Sequence, residues 1–165
     1  MSMFSVRSAL KTDAQLILDL IIELASYEKL EDRVSATLKD IDMTLFKSDP
    51  KAHVLIAEED SNVVGFVLYH TSYSTFLCKP CIHIEDLYVR EEHRGKGYGE
   101  ALVKAVCEIA YEKDYGRVDW VVLDWNQPAI EFYKHIGAEE LSEWKVFRLN
   151  YDGIQRLVTK DIKIN

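Results

Sequence analysis

The chain has 165 residues, 48% hydrophobic and 29% charged, with a formal net charge of −8. That length suits one domain, here spanning residues 1–165, with one sizeable core, and the acidic balance argues against nucleic acid as a general partner. No apolar run reaches the roughly 18 residues of a membrane span. The opening Met1-Ser2-Met3-Phe4 shows no basic-then-apolar leader, so a cytoplasmic protein without membrane partners is expected.

In chain order, residues 4–7 alternate and read as a short strand. Thr12 stands three residues before Gln15 as a capping box, with Asp13 in the first turn of a helix. Leu16, Ile17, Leu20, Ile21 and Leu24 follow at helical spacing, and Tyr27-Glu28-Lys29-Leu30 ends that helix. A second helix is expected over residues 36–46, then a turn at Asp49-Pro50. Residues 53–58 and 63–73 read as strands joined by the hairpin Glu59-Asp60-Ser61-Asn62. Residues 81–89 form the next strand, and residues 100–113 a long helix with Leu102, Val103, Val106, Ile109 and Ala110 on one face. Gly116 is expected to terminate it as a left-handed residue. A strand over 117–123, a short helix capped by Asn126, strand residues over 138–149 and a helix over 151–160 complete the chain. This order predicts an α/β domain around a central mixed sheet flanked by helices.

Between the third long strand and the long helix runs Arg94-Gly95-Lys96-Gly97-Tyr98-Gly99. Three alternating glycines let the backbone bend and approach a ligand with no Cβ in the way. The first-turn N–H groups of the following helix lack internal partners and sit at the positive end of its dipole, so a pyrophosphate is the natural guest. A phosphate-binding P-loop is excluded, because no glycine here precedes Lys-Ser or Lys-Thr, and the G-x-G-x-G spacing fits a dinucleotide fingerprint poorly. From the residues alone, a glycine-rich turn without a ligand remains open. Cys78, Cys81 and Cys107 are too few and odd in number for a disulfide framework, and the Cys78–Cys81 pair has no second pair to complete a zinc site. His53, His70, His83, His93 and His135 show no i, i+4 pairing, so no metal site is expected.

Arg94, Gly97 and Gly99 match R-x-x-G-x-G in full, and this loop resembles the pyrophosphate loop of the GCN5-related N-acetyltransferase (GNAT) superfamily. Tyr27-Glu28-Lys29-Leu30, residues 84–89 (Ile-Glu-Asp-Leu-Tyr-Val), and Leu123-Asp124-Trp125-Asn126-Gln127 with Phe132-Tyr133 are similar to its diamine acetyltransferase group. Within that group, residues 123–127 look closer to the thialysine N-epsilon-acetyltransferase branch than to the spermidine/spermine branch. The resemblance covers about residues 3 to 158. It implies the GNAT fold with a mostly antiparallel sheet, acetyl-CoA as cosubstrate, no metal, a small cationic amine as acceptor, and a homodimer.

The resemblance also assigns residues. Backbone N–H groups of Leu87, Tyr88 and Val89 would meet the pantetheine arm and the acetyl oxygen, where a donor stabilises an oxyanion. Arg94, Gly95, Lys96, Gly97, Tyr98, Gly99 and Glu100 would wrap the pyrophosphate, with Asn126 and Ala129 as further CoA contacts. Tyr133 matches the general acid that protonates the departing thiolate; a phenol, ordinarily ionising near pH 10, suits that leaving group. Glu85 matches the residue that handles the amine proton, which a lysine-like amine keeps at neutral pH at a cost of roughly 4–5 kcal/mol to remove. Tyr27, Glu28 and Glu143 match substrate contacts, although Glu143 lies in a turn that lacks the family's glycine. Without the resemblance, Tyr133 reads first as a core aromatic on an amphipathic helix, while Glu85 also reads as a structural or charge-binding acid, and Tyr27 and Glu28 as a solvated helix end. By strand alternation Asp86 should face away from Glu85. The alternatives are a spermidine/spermine acetyltransferase, a protein lysine or N-terminal acetyltransferase, and a CoA-binding module without catalysis; the presence of Tyr133 and Glu85 speaks against the last.

Overall fold

The computed structural model describes residues 3–160. Its contacts divide the chain into two compact units, Met1–Leu123 and Asp124–Asn165. The first unit contains a five-stranded sheet in the order β1 (Phe4–Ser8), β2 (His53–Glu59), β3 (Asn62–Ser74), β4 (Lys79–Val89), β5 (Val118–Trp120). Every neighbouring pair is antiparallel except β4 and β5, which run parallel. The β2–β3 turn explains itself: Asp60 and Ser61 both take positive φ, 52° and 65°, the conformation a tight two-residue hairpin requires. A parallel neighbour cannot be reached by a hairpin, and helix α3 (Tyr98–Glu112) supplies the crossover to β5.

The sheet buries both faces. Leu55, Val67 and Ile84 pack with Tyr98, Leu102 and Val106 of α3. Ile56 and Phe66 pack on the other side with Ile17, Leu20 and Leu24 of α1 (Ala14–Glu28) and Ile41 of α2 (Leu38–Leu45). Neighbours such as Leu55 and Ile56 part to opposite clusters because side chains alternate along a strand. Ile17, Leu20, Ile56 and Phe66 are wholly buried, each contributing about 1.5–3 kcal/mol by removal from water.

Three local expectations are corrected. The start of α1 is not a Thr12–Gln15 capping box. The Asp13 carboxylate instead accepts from the Leu10 N–H and the Arg7 guanidinium, both at 2.7 Å, and closes a short 3₁₀ turn, while the Gln15 amide donates to Asp19. A charge-assisted bond outcompetes a neutral hydroxyl. Gly116 does not end α3 as a left-handed residue; Asp114 adopts that conformation, at φ 53°. Gly116 packs closely instead: a Cβ there would lie 2.8 Å from the Leu77 Cδ1, which a turn of that exposed side chain would relieve. Third, β5 stops at Trp120, so residues 121–123 leave the ladder.

In the second unit, Asn126 caps α4 (Gln127–His135), and Gly137 beyond its end takes φ 88°. The Asn150 side chain accepts from the Gly153 N–H at 2.9 Å and caps α5 (Tyr151–Val158). The strand expected over residues 138–149 is not formed. Trp144, Val146 and Phe147 carry strand-like composition but are mostly exposed, and a strand without a paired edge and a covered face has nothing to hold it. No helix among the described residues is long and apolar enough to cross a membrane.

Candidate active site

The site is organised by a fault in the β3–β4 ladder. Leu68 opposes Asp86 and Tyr69 opposes Ile84, which leaves Glu85 as an extra residue in β4. Such a bulge breaks the alternation of side chains. Ile84 and Leu87 therefore both pack on the α3 side although three residues apart. The expectation that Glu85 and Asp86 face opposite ways is overturned. Glu85 Oε2 lies 3.9 Å from His70 Nε2 and 4.0 Å from His83 Nε2, on the side away from α3 that Asp86 shares.

Asp86 is the more buried of the two acids, and its carboxyl is pushed up to about 6. Burial is the main cause; the charges of Glu85 and Glu28 add to it. Burial also raises Glu28, at the last turn of α1. Three carboxyl groups thus share one neighbourhood, where a cation relieves their mutual repulsion.

Just past the bulge the sheet opens. The β4–β5 ladder ends at Ile84↔Trp120, while β4 stays paired with β3 through Leu87↔Val67, Tyr88↔Phe66 and Val89↔Gly65. Among the described residues, no strand covers the β5 side of residues 85–89. A strand with one free edge presents unpaired N–H and C=O groups. Gly65 permits close contact on the paired edge, because a Cβ there would come within 2.4 Å of the Tyr88 carbonyl oxygen.

The glycine loop follows directly. Arg90 fixes the strand's exit through two bonds to Glu23, at 2.7 and 3.0 Å, and one to the Val63 carbonyl at 2.8 Å. Gly95 and Gly97 take φ 75° and 84°, and an added Cβ at either would meet no atom within 4 Å, so the loop faces open space. Gly97 is the N-cap of α3 and offers no side chain to satisfy the first-turn N–H groups. Arg94 donates to the Val89 carbonyl at 2.9 Å, and its guanidinium lies 4.4 Å from the centre of the Tyr27 ring. It thus ties the loop to the strand end and to α1. Lys96 pairs with Glu59 at 3.2 Å and stays half exposed. The Tyr98 side chain turns inward: it stacks on Phe4 at 4.5 Å and donates to Glu59, which pushes its phenol up to about 12. Only its backbone is left for a ligand of the loop. Gly99 is half-buried and Glu100 exposed in the first turn of α3. Left-handed glycines, an uncapped helix start and Lys96 together fit a diphosphate group.

In the second unit the Asn126 side chain is buried and accepts from the Ala129 N–H at 3.4 Å. Tyr133 is half-buried, its ring centre 5.2 Å from that of Phe132. Glu143 is exposed. The sequence reading weighed His70 and His83 singly and did not bring them together. His70 and His83 are direct cross-strand partners beside Glu85, and His83 Nδ1 bonds the Asp119 carboxylate at 2.7 Å. Helical spacing could not have found them, since only the register of β3 against β4 brings them together.

The family model described as "Acetyltransferase (GNAT) family" matches residues 17–138. A thialysine N-epsilon-acetyltransferase of Bos taurus is 37% identical over 97% of this chain and 100% of its own length. The spermidine/spermine N(1)-acetyltransferase-like protein 1 of Homo sapiens is 32% identical over 91% of this chain, though over only 23% of that protein. Among solved structures, an integron cassette protein from the mobile metagenome of V. cholerae superposes with a TM-score of 0.80 at 27% identity, covering 95% of this chain and 98% of that one. The open sheet edge, the glycine loop and these likenesses agree: the chain belongs to the acetyltransferase (GNAT) family and is an N-acetyltransferase.

Proposed function

We propose that this enzyme transfers acetyl from acetyl-CoA directly to the primary amine of a small lysine-like molecule, thialysine or a near analogue. One observation carries the choice of acceptor: Glu28, Glu85 and Asp86 gather their charge beside the open edge of β4. A small molecule bearing ammonium groups complements that charge. The full-length likeness to thialysine acetyltransferases supports the same class. Diamines and polyamines form the second reading, favoured by the likeness to the spermidine/spermine-type protein.

Acetyl-CoA supplies an activated acetyl thioester. Backbone N–H groups of residues 95–100 and the Lys96 ammonium hold its diphosphate, with Arg94 bracing the loop and Asn126 and Ala129 as further contacts. The free edge at Leu87, Tyr88 and Val89 receives the pantetheine arm and aims a donor at the acetyl oxygen. Tyr27, Glu28 and Glu143 bind the amine. Glu85 takes the ammonium proton, directly or through one water, freeing a lone pair for attack. Tyr133 donates its phenolic proton to the departing sulfur. No cysteine enters this scheme, so transfer needs no acyl-enzyme. The family match across residues 17–138 supports treating the chain as one acetyltransferase domain, and we place it in the cytoplasm as a homodimer. The test is acetyl transfer to thialysine, lysine, ornithine, putrescine, spermidine and spermine. The highest kcat/KM should fall on thialysine or lysine; a peptide lysine outperforming every free amine would overturn the proposal.

A further inference from the structure

We propose that His70, His83 and Glu85 form a binding site for one divalent transition-metal ion of the Zn2+ type, which occupies the carboxylate used for the amine. The sequence carries no metal motif, and the site exists only through the sheet. His70 on β3 and His83 on β4 are paired across the ladder, their ring centres 5.2 Å apart. Both present Nε2 to Glu85 Oε2, at 3.9 and 4.0 Å, and the three ligand atoms all lie within 4.8 Å of one another.

The outer contacts set both rings for this task. His83 Nδ1 lies 2.7 Å from Asp119 Oδ1, and Asp119 is itself held by Arg117 Nε at 2.8 Å. His70 Nδ1 lies 3.3 Å from the Thr71 carbonyl oxygen. Carbonyl and carboxylate oxygens only accept, so a neutral ring that donates from Nδ1 to these partners leaves the lone pair of its Nε2 for an ion. A carboxylate behind a ligating histidine is the usual support of a metal site. A tetrahedral ion at bond lengths of about 2.0–2.2 Å separates its ligands by about 3.3–3.5 Å. The two Glu85 distances close to that by a swing of its exposed side chain, and the two histidine nitrogens, within 4.8 Å of each other, by a turn of the partly exposed imidazoles. Two imidazoles and one carboxylate favour Zn2+, Co2+ or Ni2+ over Mg2+ or Ca2+. The three protein ligands leave a fourth position to water.

Binding stands on this geometry alone. Its inhibitory consequence rests on the role proposed above for Glu85: a bound ion competes with the substrate ammonium for that carboxylate. The experiment titrates the full chain with Co2+, in a Cys78→Ser/Cys107→Ser background that removes the exposed thiols. One Co2+ per chain should bind with the visible absorption of a four- or five-coordinate ion. His70→Gln and His83→Gln should each weaken binding at least tenfold, and Asp119→Asn by about tenfold. Binding that is absent at 1 mM of added Co2+ (about the weakest affinity a specific site would show), or that these variants leave unaltered, overturns the proposal. Should a variant fail to fold, a crystal of the unmodified chain soaked in Zn2+ decides. An anomalous peak between the two Nε2 atoms supports the site, and a peak only elsewhere refutes it. Zn2+ should also inhibit acetyl transfer in competition with the amine. Binding without inhibition keeps the metal site and removes the assigned role of Glu85.

Discussion

Asp86→Asn tests the electrostatics of the bulge. In the folded chain the Asp86 carboxyl rises from 3.8 to about 6, through burial first and the charges of Glu85 and Glu28 second. Each pH unit of difference between folded and unfolded states is worth about 1.4 kcal/mol, so ionised Asp86 opposes folding by at most about 3 kcal/mol. The sign follows from proton counts. Below about pH 4 both states hold the proton and the penalty is absent. Between about pH 4 and 6 the unfolded chain releases it first, so stability falls as pH rises, reaching a plateau above about pH 7. Asparagine keeps the shape and removes the charge. Urea unfolding of both chains from pH 4 to pH 8, with a chelator present, gives the stability difference at each pH. The variant should gain about 1–3 kcal/mol on the wild type across that range, because a partly solvated carboxyl realises less than the maximum. A difference independent of pH, or one shifting in the wild type's favour as pH rises, refutes the crowding of acids at this position.

The two side chains proposed to react separate by their kinetics. Tyr133→Phe should lower kcat by about 10²–10⁴-fold while CoA binding, read by calorimetry, stays within a few-fold; unaltered turnover removes the general acid. Glu85→Gln should lower kcat/KM by a similar factor at pH 7, and the loss should shrink at pH 9 to 10, where more of the amine arrives unprotonated. A loss that is constant across pH would count against proton handling.

Much of the fold was legible because it is written in local periodicity. Leu102, Val103 and Val106 announced α3, and the apolar run Val54 to Ala57 and the β-branched and aromatic residues of 63–73 announced β2 and β3. The glycine loop was legible because left-handed turns select glycine, as Gly95 and Gly97 bear out at φ 75° and 84°. What escaped depends on register and on partners. The bulge at Glu85 leaves no trace in composition, yet it moves Asp86 to the face of Glu85 and sets the charge of the site. The His70–His83 pair is thirteen positions apart in the chain and adjacent only across the ladder. Gly116 was read as the left-handed helix stop, a conformation that Asp114 takes instead. Residues 138–149 have the side chains of a strand, but composition cannot supply an edge to pair with. Tyr133, Glu85 and the loop residues were identified by their likeness to a family; spacing alone left each of them open.

The most direct test of the reading is to locate CoA itself. A crystal structure of the enzyme grown with CoA should show the diphosphate on the backbone N–H groups of residues 95–100 at the start of α3, with the pantetheine arm along the free edge of Leu87, Tyr88 and Val89. CoA bound away from that loop, or that edge filled by the chain's own side chains while CoA sits elsewhere, would contradict it.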